Sequence, residues 1–350
     1  MYDIIGDIHG HHEALRALLY RLGYRFRGGA WRFPGARRRA LFVGDFIDRG
    51  PQIPETLALV RGMLEADSAL AVMGNHEYNA LTWHTPDGNG GWLRRHTVTH
   101  RKQHDATLEQ YGIDSAAPEG DRGVLDIPSP RGRGARRLRE DLQWLRALPL
   151  YLETDSVRVV HAAWTDEAAA EAQNSRTSPR AGSHAPTPLV DDAFLHRSAF
   201  GQYRESRAVE TLLKGIEIAL PEGAWYLDKE GSRRHKTRIR WWLDPAAPVR
   251  TMADIAMPPA DRELGHLPVS PRQREKLPGY TGSLPVFVGH YWFTGTPAPV
   301  APRVACLDYS VARGGILCAY RFEGDPVLSG EHFVSVDASG GPTGRPHRFA

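Results

Sequence analysis

The chain has 350 residues, 41% of them hydrophobic and 24% charged, with a formal net charge of +3 and two cysteines. That length and apolar content can bury a sizeable core in one large or two small domains, which argues against a disordered chain or a disulfide-held miniprotein. The small charge gives no reason to expect nucleic acid as a partner, and no run approaches the roughly 18 apolar residues that span a membrane.

In chain order, the first apolar run, Tyr2 to Ile5, empties into Gly6-Asp7-Ile8-His9-Gly10, the pattern of a strand ending in a loop. Asp7 and His9 stand two residues apart, so on an extended backbone their side chains leave the same face and can close on one metal ion. A ligand at position 7 also leaves nothing before it to be removed as a signal peptide, so a cytoplasmic protein is expected. Leu15, Leu18, Leu19 and Leu22 then fall at helical spacing and stop at Gly23. The run Ala40 to Val43 precedes Gly44-Asp45-Phe46-Ile47-Asp48-Arg49-Gly50, in which Asp45 can offer one carboxylate oxygen to each of two ions. Pro54 opens a second helix whose Leu57, Val60 and Leu64 form one apolar stripe. The run Ala69 to Met73 leads into Gly74-Asn75-His76-Glu77, where the Asn75 amide oxygen can bind a divalent ion without lowering its charge. Hard oxygen ligands mixed with imidazole suit Mn²⁺, Fe or Zn²⁺.

Residues 83 to 111 are rich in histidine. His100 and His104 have the i, i+4 spacing of a metal pair, but no carboxylate motif accompanies them, so His84, His96, His100 and His104 are expected to line or shield the approach to the site. Arg131, Arg133, Arg136, Arg137 and Arg139 read as a solvated face, with attraction of an acidic peptide or polyphosphate as the alternative. Two later histidines repeat the strand-end arrangement, His161 after Val157 to Val160 and His290 after Pro285 to Gly289. In open α/β sheets functional groups gather beyond the carboxyl ends of strands, so these five loops can meet. Glycine directly before Asp7, Asp45, Asn75 and His290 permits the close backbone approach this requires. Residues 165 to 285 differ in texture, with an Ala-rich then Ser/Pro-rich stretch, an expected helix near 205 to 220 and Pro-rich sequence after 245. They read as an insertion that sets specificity. Cys306 and Cys318 are expected as reduced core residues, and 338 to 350 as a mobile tail.

The three motifs in this order, with two histidines downstream, resemble the calcineurin-like metallophosphoesterases and, within them, the phosphoprotein phosphatase type, marked by GDIHG, GDxxDRG and GNHE. The resemblance covers roughly residues 1 to 165 and 285 to 325, including Cys306-Leu307-Asp308 and Gly314-Gly315-Ile316-Leu317 as a closing hairpin. It implies an α/β fold of two packed mixed β-sheets flanked by helices, in a single domain over residues 1 to 337. It implies that Asp7, His9 and Asp45 hold one divalent ion, Mn²⁺ being expected, and that Asp45, Asn75, His161 and His290 hold the other. Two such ions about 3.5–4 Å apart lower the pKa of a water between them and place it for direct attack on phosphorus. His76 would protonate the leaving oxygen with Asp48 orienting its ring, and Arg49 would clamp the phosphate through its planar fork. Family members usually have a second phosphate contact, for which Arg238 or Arg240 is available, and Arg240 is the expected one. The expected substrate is a phosphorylated protein or peptide, with symmetrical hydrolysis of diadenosine tetraphosphate or another nucleotide second. Met73 stands where eukaryotic-type Ser/Thr phosphatases usually carry arginine, which brings the chain nearer the bacterial and dinucleotide-hydrolase branches. A 3′-end or cyclic phosphodiester phosphatase is a further alternative. A non-catalytic scaffold is disfavoured, because ligands, acid and clamp are all present.

Overall fold

A computed structural model of the chain describes residues 1–35, 38–113, 132–175, 177, 189–227, 233–257 and 262–343. The five apolar runs form the strands Tyr2–Ile5, Arg39–Phe42, Ala69–Ala71, Arg158–Val160 and Val286–Val288. In one sheet the order is Asp308–Tyr309, Ile316–Phe322, Tyr2–Ile5, Arg39–Phe42, Ala69–Ala71, with Phe333–Asp337 also paired to Ile316–Phe322. Tyr2–Ile5, Arg39–Phe42 and Ala69–Ala71 run parallel, while Ile316–Phe322 is antiparallel to Tyr2–Ile5. The other sheet has the order Val304–Cys306, Val286–Val288, Arg158–Val160, Tyr151–Glu153, in which only the last pair is antiparallel. Both sheets are therefore mixed, as the family resemblance implied.

The two-residue side-chain period divides each strand between two cores. Ile4, Leu41, Val43 and Val72 of the first sheet pack with Val159, Phe287 and Ala305 of the second, so the sheets lie face to face. Ile5, Phe42 and Ala71 turn the other way and share a core with Leu15, Leu18, Leu57 and Val60 of the helices His12–Arg21 and Ile53–Glu65. Each fully buried Leu, Ile, Val or Phe contributes about 1.5–3 kcal/mol relative to exposure. The parallel strands open their carboxyl ends onto the same edge, and the five motif loops leave from there.

Several expectations change in detail. The helix expected near 205 to 220 is Arg204–Lys214, because Gly215 takes φ 90° and ends it. Glu217–Ala219 is instead a strand, paired with Lys236–Ile239, which pairs in turn with Ala256–Met257. Ile218, Ile239, Met252 and Ile255 give this small sheet its own core. Trp241 and Trp242 are buried, the Trp241 Nε1–H donating to the Ala162 carbonyl at 3.1 Å, so both serve packing. Of the arginine run, Arg133, Arg136, Arg137 and Arg139 lie on the exposed side of the helix Arg133–Leu145, whose Ala135, Leu138, Leu142 and Leu145 are buried, while Arg131 falls outside the described residues. Cys306 and Cys318 are buried free thiols. The expected tail is tied down as far as Thr343: the Gly341 N–H donates to Asp337 at 2.8 Å and Ser335 and Thr343 hydroxyls bond at 2.7 Å. Residues 344–350 lie outside the described residues. Among the described residues, no helix is long and apolar enough to cross a membrane.

A buried ion network fixes the strand that delivers Asp7. Asp3, 0% exposed, accepts from Arg321 at 2.9 and 3.2 Å and from Arg38 at 3.1 Å, and Arg38 also reaches Glu323 at 2.8 Å. Removing one partner of such a group strands buried charge at a cost of about 3–5 kcal/mol, whereas a half-exposed rim carboxylate is worth about 0–1 kcal/mol. Asp3→Ala should therefore lower the urea midpoint far more than Glu323→Ala; equal shifts would show that the network does not secure the strand.

Candidate metal centre

The loops after the five strands bring all six expected ligands into one connected cluster around Asp45. Asp45 Oδ2 lies 3.5 Å from His9 Nε2 and 3.4 Å from His161 Nε2. Asn75 Oδ1 lies 3.0 Å from His161 Nε2 and 2.8 Å from His290 Nδ1. Asp7 Oδ2 accepts the His290 backbone N–H at 3.0 Å. The Nδ1–H of His9 donates to the Ile47 carbonyl at 2.9 Å and that of His161 to the Val43 carbonyl at 2.8 Å, which turns each Nε2 lone pair into the cluster. Among the described residues, the sets of three His, Cys, Asp or Glu donors within 4.8 Å of one another are Asp7, Asp45, His161 and His9, Asp45, His76, so Asp7 falls with His161 and not, as the family resemblance implied, with His9, which instead stands beside His76. Asp45 belongs to both, as a bridging carboxylate must.

The charges explain why a cation belongs here. Burial and the neighbouring Asp308 push the Asp7 carboxyl well above its usual range. Burial opposes charge on Asp45 too, but the imidazoles of His161 and His76 hold it well below that range. Against its own burial, His161 is raised to about 10 by Asp45, while burial lowers His9 to about 3. Burial, then the charges of Arg238 and His161, lower His290. Asp7 Oδ1 is buried with no hydrogen-bond partner among the described residues, a costly arrangement for a carboxylate oxygen. Carboxylate, amide and imidazole donors that converge on an unsatisfied oxygen fit divalent ions of the Mn²⁺, Fe or Zn²⁺ kind.

Backbone geometry holds the cluster this tightly. His9, Asp45, Asp48, Arg49 and His290 all adopt left-handed φ between 45° and 73°, conformations that cost a non-glycine residue on the order of 1–3 kcal/mol and gather at functional sites. Glycines 74 and 289 are required by proximity: a Cβ on Gly289 would stand 1.9 Å from Asp7 Oδ1, and one on Gly74 2.2 Å from Asp45 Oδ1.

His76 begins a second layer. Its Nδ1 bonds Asp48 Oδ2 at 2.6 Å, and its Nε2 lies 4.0 Å from Asp45 Oδ2 and 3.4 Å from Arg49 Nη2. Asp48 Oδ1 is met by His104 Nδ1 at 2.8 Å and by the Thr107 hydroxyl at 2.5 Å. Burial opposes ionisation of Asp48, but His104 and then His76 hold its carboxyl far below the usual range.

Four residues take part in the site in ways the sequence did not show, His104 having been expected only to line or shield the approach. Glu77 is fully buried and accepts the N–H groups of Gly74, Asp45 and Phe46 at 2.8–2.9 Å and that of Ile47 at 3.3 Å, tying the second motif to the third. Burial and then Asp45 push its carboxyl up to about 7. Its signal was available: a Glu third in the helix Asn75–Trp83 is half of a capping box. His104 and Thr107 were legible only as part of a histidine-rich helix. Asp308 accepts the N–H groups of Trp292 at 2.8 Å and Ser310 at 2.9 Å. His100 and His104 do not pair on a metal, since His100 Nδ1 bonds the Arg95 carbonyl at 2.8 Å. His96, stacked on Trp83 and Trp92, bonds the Trp83 carbonyl at 2.9 Å, and His84 meets His104 at 3.2 Å. The charge of Arg238 is felt at His290, whereas that of Arg240 is felt at the half-buried Asp254, outside the cluster.

The model of the calcineurin-like phosphoesterase family matches residues 2–220. The chain is 44% identical over 75 residues to an asymmetrical bis(5′-nucleosyl)-tetraphosphatase of Halalkalibacterium halodurans, covering 21% of this chain and 30% of that protein. It is 30% identical over 161 residues to the asymmetrical enzyme of a Geobacillus species, covering 46% and 55%. It is 26% identical over 258 residues to a symmetrical bis(5′-nucleosyl)-tetraphosphatase of Aromatoleum aromaticum, covering 69% and 76%. The chain thus spans less than two thirds of the length of the first two relatives. A family match over more than half of its length, joined to a donor cluster centred on a shared carboxylate, means that this chain belongs to the calcineurin-like phosphoesterase family.

Proposed function

We propose that the chain is a metal-dependent phosphoric ester hydrolase whose substrate is a dinucleoside tetraphosphate. Asp7, His9 and Asp45 would hold one divalent ion and Asp45, Asn75, His161 and His290 the other, with Mn²⁺ the favoured metal for this donor set. When bound, the ions lower the pKa of a water and offset charge on the phosphoryl oxygens. His76 Nε2 is the proton donor for the leaving oxygen: its other nitrogen is held by Asp48, and the guanidinium beside it disfavours a third cation there. Asp48, itself held by His104 and Thr107, fixes the ring. Arg49 offers its fork to the phosphoryl oxygens.

The observation that carries the chemistry is this placement of His76, Asp48 and Arg49 against the carboxylate shared by both donor sets. The substrate rests on the relatives, named as bis(5′-nucleosyl)-tetraphosphatases, and on Met73 before the third motif. It replaces the phosphorylated protein that the sequence favoured first. A symmetrical relative is matched over 76% of its own length, against 55% for the asymmetrical enzyme of Geobacillus, which favours cleavage at the centre of the chain.

Protein stripped with chelator and reloaded with Mn²⁺ should show its highest kcat/KM on diadenosine tetraphosphate, above phosphoserine and phosphotyrosine peptides and p-nitrophenyl phosphate. Chromatography should show ADP as the product; AMP with ATP would mean asymmetrical cleavage, and faster turnover of peptides would restore the phosphoprotein reading. His76→Asn should keep its metal yet lose about 10²–10⁴ in turnover on an alkyl phosphate, and much less on p-nitrophenyl phosphate; equal losses would remove His76 as the acid. Asp45→Asn should empty or weaken both sites, read as metal content of the purified variant, and full retention of two ions would sink the bridging role.

A further inference from the structure

Arg49 of the second motif and Arg313 of the turn before Ile316 form a cationic pair on Trp292 of the loop after His290 that the proposed chemistry does not use in full. The Arg49 and Arg313 guanidinium carbons each lie 4.4 Å from the ring centroid of Trp292, and Trp292 itself stacks on His9 at 6.0 Å. Arg313 ends the short helical turn Val311–Arg313, bracketed by left-handed Ser310 at φ 62° and Gly314 at φ 77°, and its side chain is exposed. Both arms are set by one buried carboxylate, since Asp308 accepts the N–H of Trp292 and that of Ser310. Among the described residues, neither guanidinium has a carboxylate within ion-pairing distance. Asp45, Asp48 and Asp308 act on Arg49 at longer range, but Asp45 belongs to the metal centre and Asp48 to His76.

Two like charges held against one ring and beside a site for divalent cations are an anion site, and two arginines make a wider one than a single phosphoryl group fills. Their common distance from the ring keeps them close enough for neighbouring phosphoryl groups of one chain to touch both. With guanidiniums over its ring, Trp292 presents charge to a ligand and not a stacking face for a base. We propose that Arg313, positioned by Trp292 and Asp308, is a polyphosphate subsite that grips the phosphates next to the one being attacked and so favours polyphosphate chains over monoesters. This deepens the tetraphosphate reading above and rests on it for the natural substrate.

The test separates the two. In the metal-loaded enzyme with excess Mn²⁺, inorganic tripolyphosphate should inhibit p-nitrophenyl phosphate turnover more strongly than orthophosphate. Arg313→Ala should weaken tripolyphosphate by about tenfold or more, the loss of a charge-assisted contact, and orthophosphate far less, while Arg313→Lys restores part of the difference. On diadenosine tetraphosphate, Arg313→Ala should raise KM more than it lowers kcat, with a loss in kcat/KM at least tenfold larger than that on p-nitrophenyl phosphate. Equal weakening of both inhibitors, or no weakening of either, would overturn the subsite. If the wild-type enzyme ignores diadenosine tetraphosphate, the substrate reading falls, and the inhibitor pair still decides the role of Arg313. Loss of adenosine competition in Arg313→Ala, with tripolyphosphate unchanged, would reassign the pair to a base.

Discussion

The shared carboxylate of Asp45 is the constraint around which the rest is organised. It is buried with Asp7 and Asp308, so its charge must be met from inside the protein, and it is met on every side. One oxygen faces His9, His161 and His76; the other takes the His76 backbone N–H at the start of a helix, where the helix dipole also favours negative charge. Glu77 then holds the backbone on both sides of it, binding Gly74 from one loop and Asp45, Phe46 and Ile47 from the other. Space for a side chain at Gly74 would displace this carboxylate. A group that demands this much surrounding structure marks the place where a dication finds a prepared seat.

Holding five non-glycine residues in left-handed conformations costs free energy that must come from elsewhere in the fold. The two sheets supply it because their strands are buried on both faces, between each other and against the helices. Short strands suffice for this. Rigidity at each strand's carboxyl end, and not strand length, decides where Asp7, Asp45, Asn75, His161 and His290 stand.

That division explains what could be read from the sequence. Parallel strands buried on both faces are continuous apolar runs, so the sites that follow them were visible, and glycine before Asp7, Asp45, Asn75 and His290 marked the close approach. Residues whose meaning lies in a distant partner were not. Thr107 and His104 look like ordinary helix residues until Asp48, more than fifty positions earlier, is placed against them. Glu77 carried a capping signal that went unread and gave no sign of its grip on the loop of Asp45, and Asp308 gave no sign that it joins two loops. Near 215 the helical pattern ran on because Ile216 and Ile218 continue the apolar texture, whereas the backbone at Gly215 breaks it and begins a strand. Arg238 and Arg240 share a sequence neighbourhood, and only the fold, in which the charge of Arg238 reaches Tyr291 and His290, distinguishes them.

Charge in the site is layered. Carboxylates occupy the interior, imidazoles surround them, and guanidiniums stand outermost, with Arg49 over Trp292 and also against His76. Once dications balance the inner carboxylates, the outer arginines are no longer offset by them, and the field at the opening becomes attractive to anions. The same layering keeps His76 useful. One Asp48 oxygen holds the His76 Nδ1 and the other is engaged by His104 and Thr107, and against its own burial the carboxyl is kept far below its usual range by His104 and then His76, so it fixes the ring as an ionised acceptor. In the role proposed for it, a ring oriented in this way would give its proton outward, toward Arg49 and the arginine side where the proposed phosphate chain would lie.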